Sequence, residues 1–335
     1  MMKVSNYISN YLVQIVSCVC IALFSLQASA ADAEQKITFS KTELAAGLYM
    51  LKGEGGFTGG NIALSIGDDG VYMVDDAMES MLGLLQSTIK TLTKENIDFL
   101  INTHVHFDHA GNNVSFAKAG AKIIAHEHMR EHLVSKGMPT MDGPKPVTKE
   151  ALPVITFHKN MTLHMNGQDA RLIHLPHAHT NGDAAVHFKQ ANVIHMGDTF
   201  FNGMFPYIDL DSGGSIGGYI AAQRVVLNMC DDDTKIIPGH GPLATKMDLE
   251  KSLAMLLRSR SLIKTMIKAG KSEEEVVKAN PLAEYDKDWS WNFISTEKMT
   301  RQTFKALSKN SGNKHNHHGH HNNGHKDHGH HGHSH

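Results

Sequence analysis

The segment LINTHVHFDHAGN at residues 100–112 places four potential metal ligands directly after a run that predicts a buried strand. The four side chains, His104, His106, Asp108 and His109, lie within six residues. Alternate side chains of an extended chain point the same way, so we expect His104, His106 and Asp108 to converge, with His109 starting the next turn. This cluster does not complete a site by itself, and further ligands must come from elsewhere in the chain.

Strand and helix patterns alternate between about Lys36 and Lys309, which predicts an α/β fold. Short apolar runs between turn residues predict strands at 47–53, 61–67, 71–76, 97–103, 121–127, 171–176, 183–188, 192–198 and 234–240. Apolar residues at helical spacing predict helices at 79–94, 129–136, 215–229 and 249–270. The Gly- and Pro-rich segment 135–153 predicts a long loop over one face.

Two parts of the chain repeat the same order of patterns. Residues 61–76 predict strand, turn, strand and then an aspartate, and residues 184–199 predict the same order. Each part then continues through a helix to a strand that ends near histidine. We expect the strands of both halves to end at one common edge, which would bring their polar residues together.

The second half supplies further potential ligands at predicted strand ends, namely His179 in HAHTNGD, Asp198 in HMGDTF and His240 in PGHG. The first half adds Asp75 at the end of VYMVD. Three imidazoles, or two imidazoles and a carboxylate, together with a shared aspartate and a water match a catalytic zinc site. Burying so many polar groups without a metal would be costly, which favours a metal site.

The order of these motifs resembles the metallo-β-lactamase superfamily. The resemblance covers roughly Lys36 to Gly270 and rests on HxHxDH at 104–109, a histidine before TNGD at 180–183, Asp198 after a strand and PGHG at 238–241. It implies an α/β fold of the four-layer αββα sandwich type, with the site at the edge of the sheets. We expect this hydrolase domain to occupy residues 31–310.

The resemblance also implies a role for each motif residue. A first zinc ion would bind His104, His106 and His179. A second zinc ion would bind Asp108, His109 and His240, and Asp198 would bridge the two ions. Asp75 would support the ligands from outside the metal's coordination sphere. His177 lies two residues before His179 and is an alternative ligand, although the position directly before Thr180 matches the family.

The expected reaction follows from the two metal ions. A hydroxide held between them would attack a carbonyl carbon while one ion polarises the carbonyl oxygen and the other stabilises the leaving group. Asp108 is both a ligand and the carboxylate best placed to move a proton, and Tyr207 is a candidate hydrogen-bond donor to the carbonyl. We therefore expect a zinc-dependent, β-lactamase-like hydrolase of a lactam or a related cyclic amide or ester.

The sequence allows several alternatives for the substrate class and the metal. β-Lactamases of the superfamily usually carry Cys or Ser where this chain has Asp198, whereas an aspartate there resembles lactonases and glyoxalase II-like thioesterases. An iron-bearing enzyme of sulfur or oxygen chemistry is another alternative, and a periplasmic metal-buffering protein is a third. The aromatic residues after Asp198 either line the substrate pocket or pack their own loop: Phe200, Phe201, Phe205 and Tyr207.

The other histidines are predicted to be structural. His126, His128 and His132 lack the HExxH spacing of a zinc helix and are expected to be exposed or to support the ligands. Several more lie in strand patterns and are expected to have ordinary hydrogen-bond partners, namely His158, His164, His174, His187 and His195.

Residues 1–30 predict a secretory signal peptide. Lys3 precedes the apolar run 11–26, and small residues lead to a predicted cleavage after Ala30. The run is shorter than the about 20 residues that a membrane span needs, so we expect no stable membrane anchor. These features predict a periplasmic or secreted protein.

Cleavage would remove Cys18 and Cys20 and leave Cys230 without a disulfide partner. Cys230 follows a helical pattern and is predicted to be a core thiol, not a nucleophile.

Residues 311–335 predict a disordered His-rich tail, which holds 11 of the chain's 25 histidines and no apolar residue apart from glycine. Interspersed Gly, Asn, Lys and Asp distinguish it from an uninterrupted purification tag, so we interpret it as a native tail that binds extra metal ions. The formal net charge of −2 indicates no basic surface for nucleic acid. A small-molecule substrate is the expected partner.

Overall fold

The computed structural model describes residues 36–312. The predicted signal peptide and residues 313–335 of the predicted tail lie outside the described residues.

Seven strands form the first sheet and lie in it in the order of the sequence. They are β1 (Thr38–Ala45), β2 (Leu48–Glu54), β3 (Ile62–Gly67), β4 (Gly70–Val74), β5 (Phe99–Ile101), β6 (Lys122–His126) and β7 (Ile155–Phe157). The first four strands pair antiparallel and β4 to β7 pair parallel. The carboxyl ends of the parallel strands therefore share one edge of the sheet.

Six strands form the second sheet, in the order β13, β12, β11, β10, β9, β8. They are β8 (Asn160–Met165), β9 (Gln168–His174), β10 (Ala184–Phe188), β11 (Val193–His195), β12 (Lys235–Ile237) and β13 (Ala244–Thr245). β11 and β12 pair parallel, and the other neighbours pair antiparallel. The carboxyl ends of β11 and β12 thus also lie side by side.

The two sheets pack face to face because their strands alternate between two hydrophobic faces. In β4, Tyr72 and Val74 point into the core between the sheets, whereas Val71 and Met73 point to the outer face. Phe188 of β10 lies in the same inter-sheet core and stacks on Tyr72 with ring centroids 6.2 Å apart. Such strands are buried on both sides and need a covering layer beyond each sheet.

Helices supply both covering layers. The helices are α1 (Leu82–Lys90), α2 (Phe107–Ala110), α3 (Asn113–Lys118), α4 (Glu127–Lys136), α5 (Ile216–Leu227), α6 (Lys246–Lys268), α7 (Glu273–Ala279), α8 (Asp286–Trp289) and α9 (Thr296–Gly312). Leu85 of α1 and Phe116 of α3 pack on the first sheet, and Val226 of α5 and Leu249 of α6 pack on the second. The predicted four-layer αββα sandwich is confirmed.

Several elements have no counterpart among the predictions. Strands β1 and β8 each bury few residues, so their sequences carry little apolar alternation. Helix α7 begins at a capping box between Ser272 and Glu275, a signature that the sequence does contain. Together with α6 and α9, α7 packs against residues 205–220 and extends the covering layer. Among the described residues, none of the helices combines the length and the apolar character that a membrane crossing requires.

Candidate metal centre

The candidate site lies at the edge where strands of both sheets end. The candidate residues lie within three residues of these strand ends: Asp75 after β4, His104 after β5, Asp198 after β11 and His240 after β12. Two backbone hydrogen bonds join the sheets here, from Ala184 N to Thr103 O and from Asn61 N to Gly239 O, each 2.8 Å long. The common edge expected from the repeated patterns is therefore present.

The chain does not run from His104 to Asp108 as one extended segment, contrary to our expectation. β5 ends at Ile101, residues 103–105 form bends, and α2 begins at Phe107, so Asp108 projects from the first turn of a helix. Asp75 holds the bend because its carboxylate accepts hydrogen bonds from both N and Oγ1 of Thr103, each at 2.8 Å. The ligand side chains thus converge because a bend in the chain is followed by a helical turn.

Four predicted ligands face one another on one side of the centre: His104, His106, His179 and Asp198. Nε2 of His179 lies 2.8 Å from Nδ1 of His106 and 3.5 Å from Oδ2 of Asp198. Nε2 of His104 lies 3.7 Å from the same carboxylate oxygen. All four side chains are buried.

The other three predicted ligands, Asp108, His109 and His240, form a second group beside the first. Nε2 of His240 lies 3.3 Å from both Oδ2 of Asp108 and Nε2 of His109. Oδ1 of Asp198 faces this group, 3.0 Å from Nε2 of His109 and 3.4 Å from Nε2 of His240. Asp198 therefore turns one oxygen toward each group, as a bridging carboxylate would.

Four of the histidines are oriented by hydrogen bonds to their outer ring nitrogen, the one that points away from the centre. The pairs are His109 Nδ1 with Asp75 Oδ2 (2.7 Å), His179 Nδ1 with Tyr207 O (2.9 Å), His106 Nε2 with Asp209 Oδ2 (2.9 Å) and His104 Nδ1 with Thr103 Oγ1 (3.0 Å). Each partner accepts a hydrogen, since the Thr103 hydroxyl donates its own hydrogen to Asp75. The outer nitrogen of each ring therefore carries the hydrogen, and the inner nitrogen carries a lone pair.

The inward lone pairs would repel one another unless a cation lay between them. The lone pairs of His179 Nε2 and His106 Nδ1 face each other at 2.8 Å. Within residues 36–312, the buried Nε2 of His104 has no hydrogen-bond partner. Nitrogen ligands on one tetrahedral zinc ion lie about 3.3 Å apart, given Zn–N distances of about 2.0–2.1 Å. The residues at this centre therefore fit divalent metal ions in both chemistry and spacing.

The charge of the centre also favours cations. Burial alone would raise the pKa of Asp198, but the neighbouring His109 and His240 hold it well below the usual carboxyl value. Burial opposes protonation of His240, yet Asp198 and Asp108 raise its pKa to about 9. Burial lowers the pKa of His179 to about 4, which leaves its ring neutral. The carboxylates thus attract positive charge, which protons or metal ions can supply.

Asp209 is a site residue that the sequence analysis missed. Its Oδ2 accepts a hydrogen bond from His106 Nε2, and its Oδ1 accepts bonds from the backbone N–H groups of Asp211 and Ser212, both at 3.0 Å. Burial alone would raise the pKa of Asp209, but these hydrogen bonds hold it well below the usual range. The sequence DLDSGG indicates a turn at Asp209 but nothing about a histidine 103 residues away.

The structure distinguishes the two alternative histidines. His179 is fully buried and belongs to the first ligand group. His177 is exposed, has a positive φ of 52° and directs Nδ1 to the carbonyl of Gly213 at 3.1 Å. The geometry therefore favours His179 at the ligand position, and metal binding by the seven residues stays a prediction.

Aromatic side chains enclose His240. Phe201 stacks on its ring at 4.9 Å, and Phe57, which is 51% exposed, stacks at 5.7 Å. Phe200 and Phe205 are instead fully buried in two separate cores, so they pack the fold and do not line a pocket. An apolar wall therefore borders the second ligand group.

Tyr207 lies close to the first ligand group. Its ring centroid is 5.8 Å from that of His179 and 5.9 Å from that of His106. Burial raises the pKa of Tyr207 to about 12, so its phenol keeps the proton that a hydrogen-bond donor needs. Its role toward a substrate carbonyl stays a prediction.

Comparisons with known proteins agree with this fold. Among solved structures, a metallo-beta-lactamase from Pontibacter korlensis superposes with a TM-score of 0.55 and 16% identity, over 66% of this chain and 99% of that one. At this identity the likeness shows the fold alone.

Two curated proteins are similar in sequence. The alpha subunit of 2,4-dinitroanisole O-demethylase from Nocardioides sp. (strain JS1661) is 27% identical over 176 residues, 52% of this chain and 50% of that protein. Hydroxyacylglutathione hydrolase from Maricaulis maris (strain MCS10) is 29% identical over 101 residues, 30% of this chain and 32% of that protein. The matched segments therefore span half or less of these relatives.

The sequence profile of the metallo-beta-lactamase superfamily matches residues 55–247, which run from the loop before β3 to the start of α6 and contain all seven predicted ligands. With the αββα sandwich and the paired ligand groups at its edge, this match shows that the chain belongs to the metallo-β-lactamase superfamily.

Proposed function

We propose that this protein is a hydrolase that uses two zinc ions to cleave a carbonyl bond of a small molecule. The observation that carries the proposal is the inward pair His106 Nδ1 and His179 Nε2, 2.8 Å apart, whose lone pairs need a cation between them. When bound, the two ions would lower the pKa of a water molecule and polarise a carbonyl oxygen.

Side chains around the centre would bind the substrate and move the proton. Asp108 has Oδ2 3.3 Å from His240 Nε2, where its carboxylate can accept a proton and return it to a leaving group. Phe57 provides an exposed apolar surface against His240, which suits an acyl or aromatic part of the substrate. The protonated phenol of Tyr207 would donate a hydrogen bond to the carbonyl oxygen.

For the substrate we propose a lactam or a related cyclic amide or ester. A thioester is the second candidate, and two observations favour it. Asp198 stands where β-lactamases of the superfamily usually carry Cys or Ser, and the chain is similar to a hydroxyacylglutathione hydrolase. A panel of lactams, lactones and thioesters separates the two candidates by their relative kcat/KM.

Matched substitutions of His179 and His177 test whether the protein is a metal-dependent hydrolase. We expect His179→Ala to lower zinc at the centre and reduce turnover at least a hundredfold, because a ligand of the first group is lost. His177→Ala should leave both unchanged, since this exposed ring binds a backbone carbonyl. Equal effects of the two substitutions, or no turnover of any substrate in the panel, would contradict the proposal.

The metal is tested by elemental analysis of protein made without added metal. Stoichiometric iron and no zinc would contradict the zinc proposal and favour an iron-bearing enzyme instead. If the protein only buffered metal in the periplasm, it would take up metal but would show no turnover that depends on Asp108 and His179. Loss of hydrolysis in both Asp108→Ala and His179→Ala would rule out buffering as the sole function.

We further propose that the protein is exported and that its His-rich tail binds extra metal ions and supplies them to the centre. The sequence of residues 1–30 and the histidines of residues 311–335 support this proposal. Deletion of residues 314–335 should lower zinc occupancy of the centre when zinc is limiting. Equal occupancy with and without the tail would contradict the supply role, and retention in the cytoplasm after cell fractionation would contradict export.

A further inference from the structure

A second histidine cluster lies outside the candidate metal centre. We call His126, His128 and His174 the edge triad. His126 ends β6 in the first sheet, His174 ends β9 in the second sheet, and His128 lies in the first turn of α4. One nitrogen of each ring lies within 4.8 Å of one nitrogen of each of the other two. The triad therefore joins both sheets and a helix at one point.

Each ring of the edge triad faces a backbone carbonyl on one side. His126 Nε2 lies 2.7 Å from His158 O, while His174 Nε2 and His128 Nδ1 lie 2.9 Å and 3.3 Å from Asn181 O. A carbonyl only accepts hydrogen bonds, so these three nitrogens carry the ring hydrogens. The lone pairs consequently sit on Nδ1 of His126, Nε2 of His128 and Nδ1 of His174.

This arrangement is the one that metal-ligating histidines usually show. Such a histidine donates its other ring N–H to a carboxylate, a carbonyl or water, which fixes the tautomer and the ring orientation. Within residues 36–312, Nε2 of His128 and Nδ1 of His174 have no hydrogen-bond partner of their own. Nδ1 of His126 accepts a long hydrogen bond of 3.2 Å from the backbone N–H of His128. Two of the three lone pairs are therefore free to bind an ion.

We propose that His126, His128 and His174 form an additional binding site for a divalent transition-metal ion of the zinc, nickel or copper class. Neutral imidazole nitrogens suit these ions, and a water molecule would complete a tetrahedral set. The carboxylate of Glu127, which pairs with His158 beside the triad, adds negative charge that favours a cation here.

Binding requires the rings to adjust their orientation. Ligand nitrogens on one zinc ion lie about 3.3 Å apart, and one nitrogen of each triad ring lies within 4.8 Å of those of the other two. His126 and His174 stack with ring centroids 3.5 Å apart and an interplanar angle of 13°, so one of these rings must also tilt before both in-plane lone pairs point at one ion. A cavity of about 290 Å³ borders His128 and gives its half-buried side chain room to tilt.

An ion at the edge triad would restrain the loop that holds His179. Two of the three rings contact the carbonyl of Asn181, which lies two residues after His179. The N–H of Asn181 bonds to the carbonyl of Ser212, beside Asp209, at 3.0 Å. The ion would thus connect the two sheets and the loops on either side of the first ligand group.

Anomalous X-ray diffraction from crystals of the full chain grown with Zn²⁺ tests the site directly. We expect an anomalous peak among the three rings in addition to peaks at the main centre, which serve as an internal control. The triad peak should disappear in His128→Ala and persist in His164→Ala, a matched change of an exposed histidine that pairs with Asp169. Occupied main-centre positions with no triad peak at millimolar free zinc would overturn the proposal.

Zinc-dependent thermal stability provides a second test in solution. An extra site that is saturated a hundredfold above its Kd should raise Tm by about 5 °C beyond the effect of the main centre. We expect His174→Ala and His128→Ala to lose this additional rise while His164→Ala keeps it. The tail is present in all variants, so its own zinc binding cancels in the comparison. Identical zinc responses in the triad variants and the wild type would refute the site.

Discussion

The carboxylate of Asp209 accepts a hydrogen bond from Nε2 of His106 at 2.9 Å, which joins the loop after β11 to the bend after β5. This bond fixes the tautomer of His106 and turns Nδ1 toward His179. Asp209 is held in turn by Ser212, whose hydroxyl donates to Oδ2 at 2.6 Å. The orientation of one ligand ring therefore depends on a loop that contributes no predicted ligand of its own.

Asp209→Ala should weaken zinc binding at the centre by about 10–100-fold, the usual loss when a partner that orients a ligand is removed. The reason is that His106 could then rotate or carry its hydrogen on the inward nitrogen. Competition with a chromophoric chelator measures the change in affinity, and kcat/KM should fall in parallel when zinc is limiting.

Asp211→Ala is the matched control for this prediction. Asp211 lies in the same loop, and its side chain is 98% exposed. Its substitution should leave zinc affinity unchanged. Similar zinc affinities for the Asp209 and Asp211 variants would show that the His106 bond does not support the centre.

Gly239→Ala should disrupt the centre without removing any ligand. A Cβ atom at Gly239 would lie 2.0 Å from Oδ1 of Asp198 and 2.7 Å from the backbone of Gly197. The bridging carboxylate would have to move, so we expect at least a tenfold loss of zinc affinity. Gly83→Ala is the control, because a Cβ atom there meets nothing within 4 Å among residues 36–312. Wild-type zinc binding in Gly239→Ala would show that the position of Asp198 is not tightly constrained.

The sequence predicted which residues form the ligand groups more completely than it predicted the backbone geometry that brings them together. The residues His104 and His240 could be placed at one edge because each follows an apolar run, and a strand's own periodicity shows where it ends. The bend at residues 103–105 could not be predicted, because it depends on Asp75, which follows the neighbouring strand β4. Hydrogen bonds between distant loops leave no periodic pattern in the sequence.

The edge triad could not be predicted either, because contacts between distant parts of the chain leave no pattern in the sequence. His126 and His174 come from strands in different sheets. The sequence predicts that His126 is exposed or supports the ligands and that His174 is structural, but His126 is fully buried. Their 3.5 Å stacking results from the packing of the two sheets, which strand patterns alone do not define. By contrast, the burial of β4 on both faces agrees with its continuous apolar run at residues 71–74.

Cys230 should react slowly with alkylating reagents at neutral pH. Burial raises the pKa of its thiol to about 11, and Sγ donates a hydrogen bond to Val226 O at 3.2 Å. The reactive thiolate is therefore scarce below pH 9, and we expect labelling at pH 8 to be about 100-fold slower than that of free cysteine. Iodoacetamide labelling followed by mass spectrometry of the Cys230 peptide measures the rate. The rate should rise about tenfold per pH unit up to about pH 10, and a plateau by pH 9 would contradict the assignment.

Asp198→Asn should convert a two-ion centre into a one-ion centre. The carboxylate now faces the first group with Oδ2 and the second with Oδ1. An amide keeps the shape but offers one oxygen and one NH₂ group, and the NH₂ group cannot bind a metal. One ion should therefore be lost, and turnover should fall by about 10²–10³-fold because the remaining ion cannot share the charge of the reaction. Anomalous diffraction counts the ions at the centre independently of the tail, with Asp211→Asn as the matched control. Two fully occupied positions in Asp198→Asn would mean that the two groups hold their ions without the bridge.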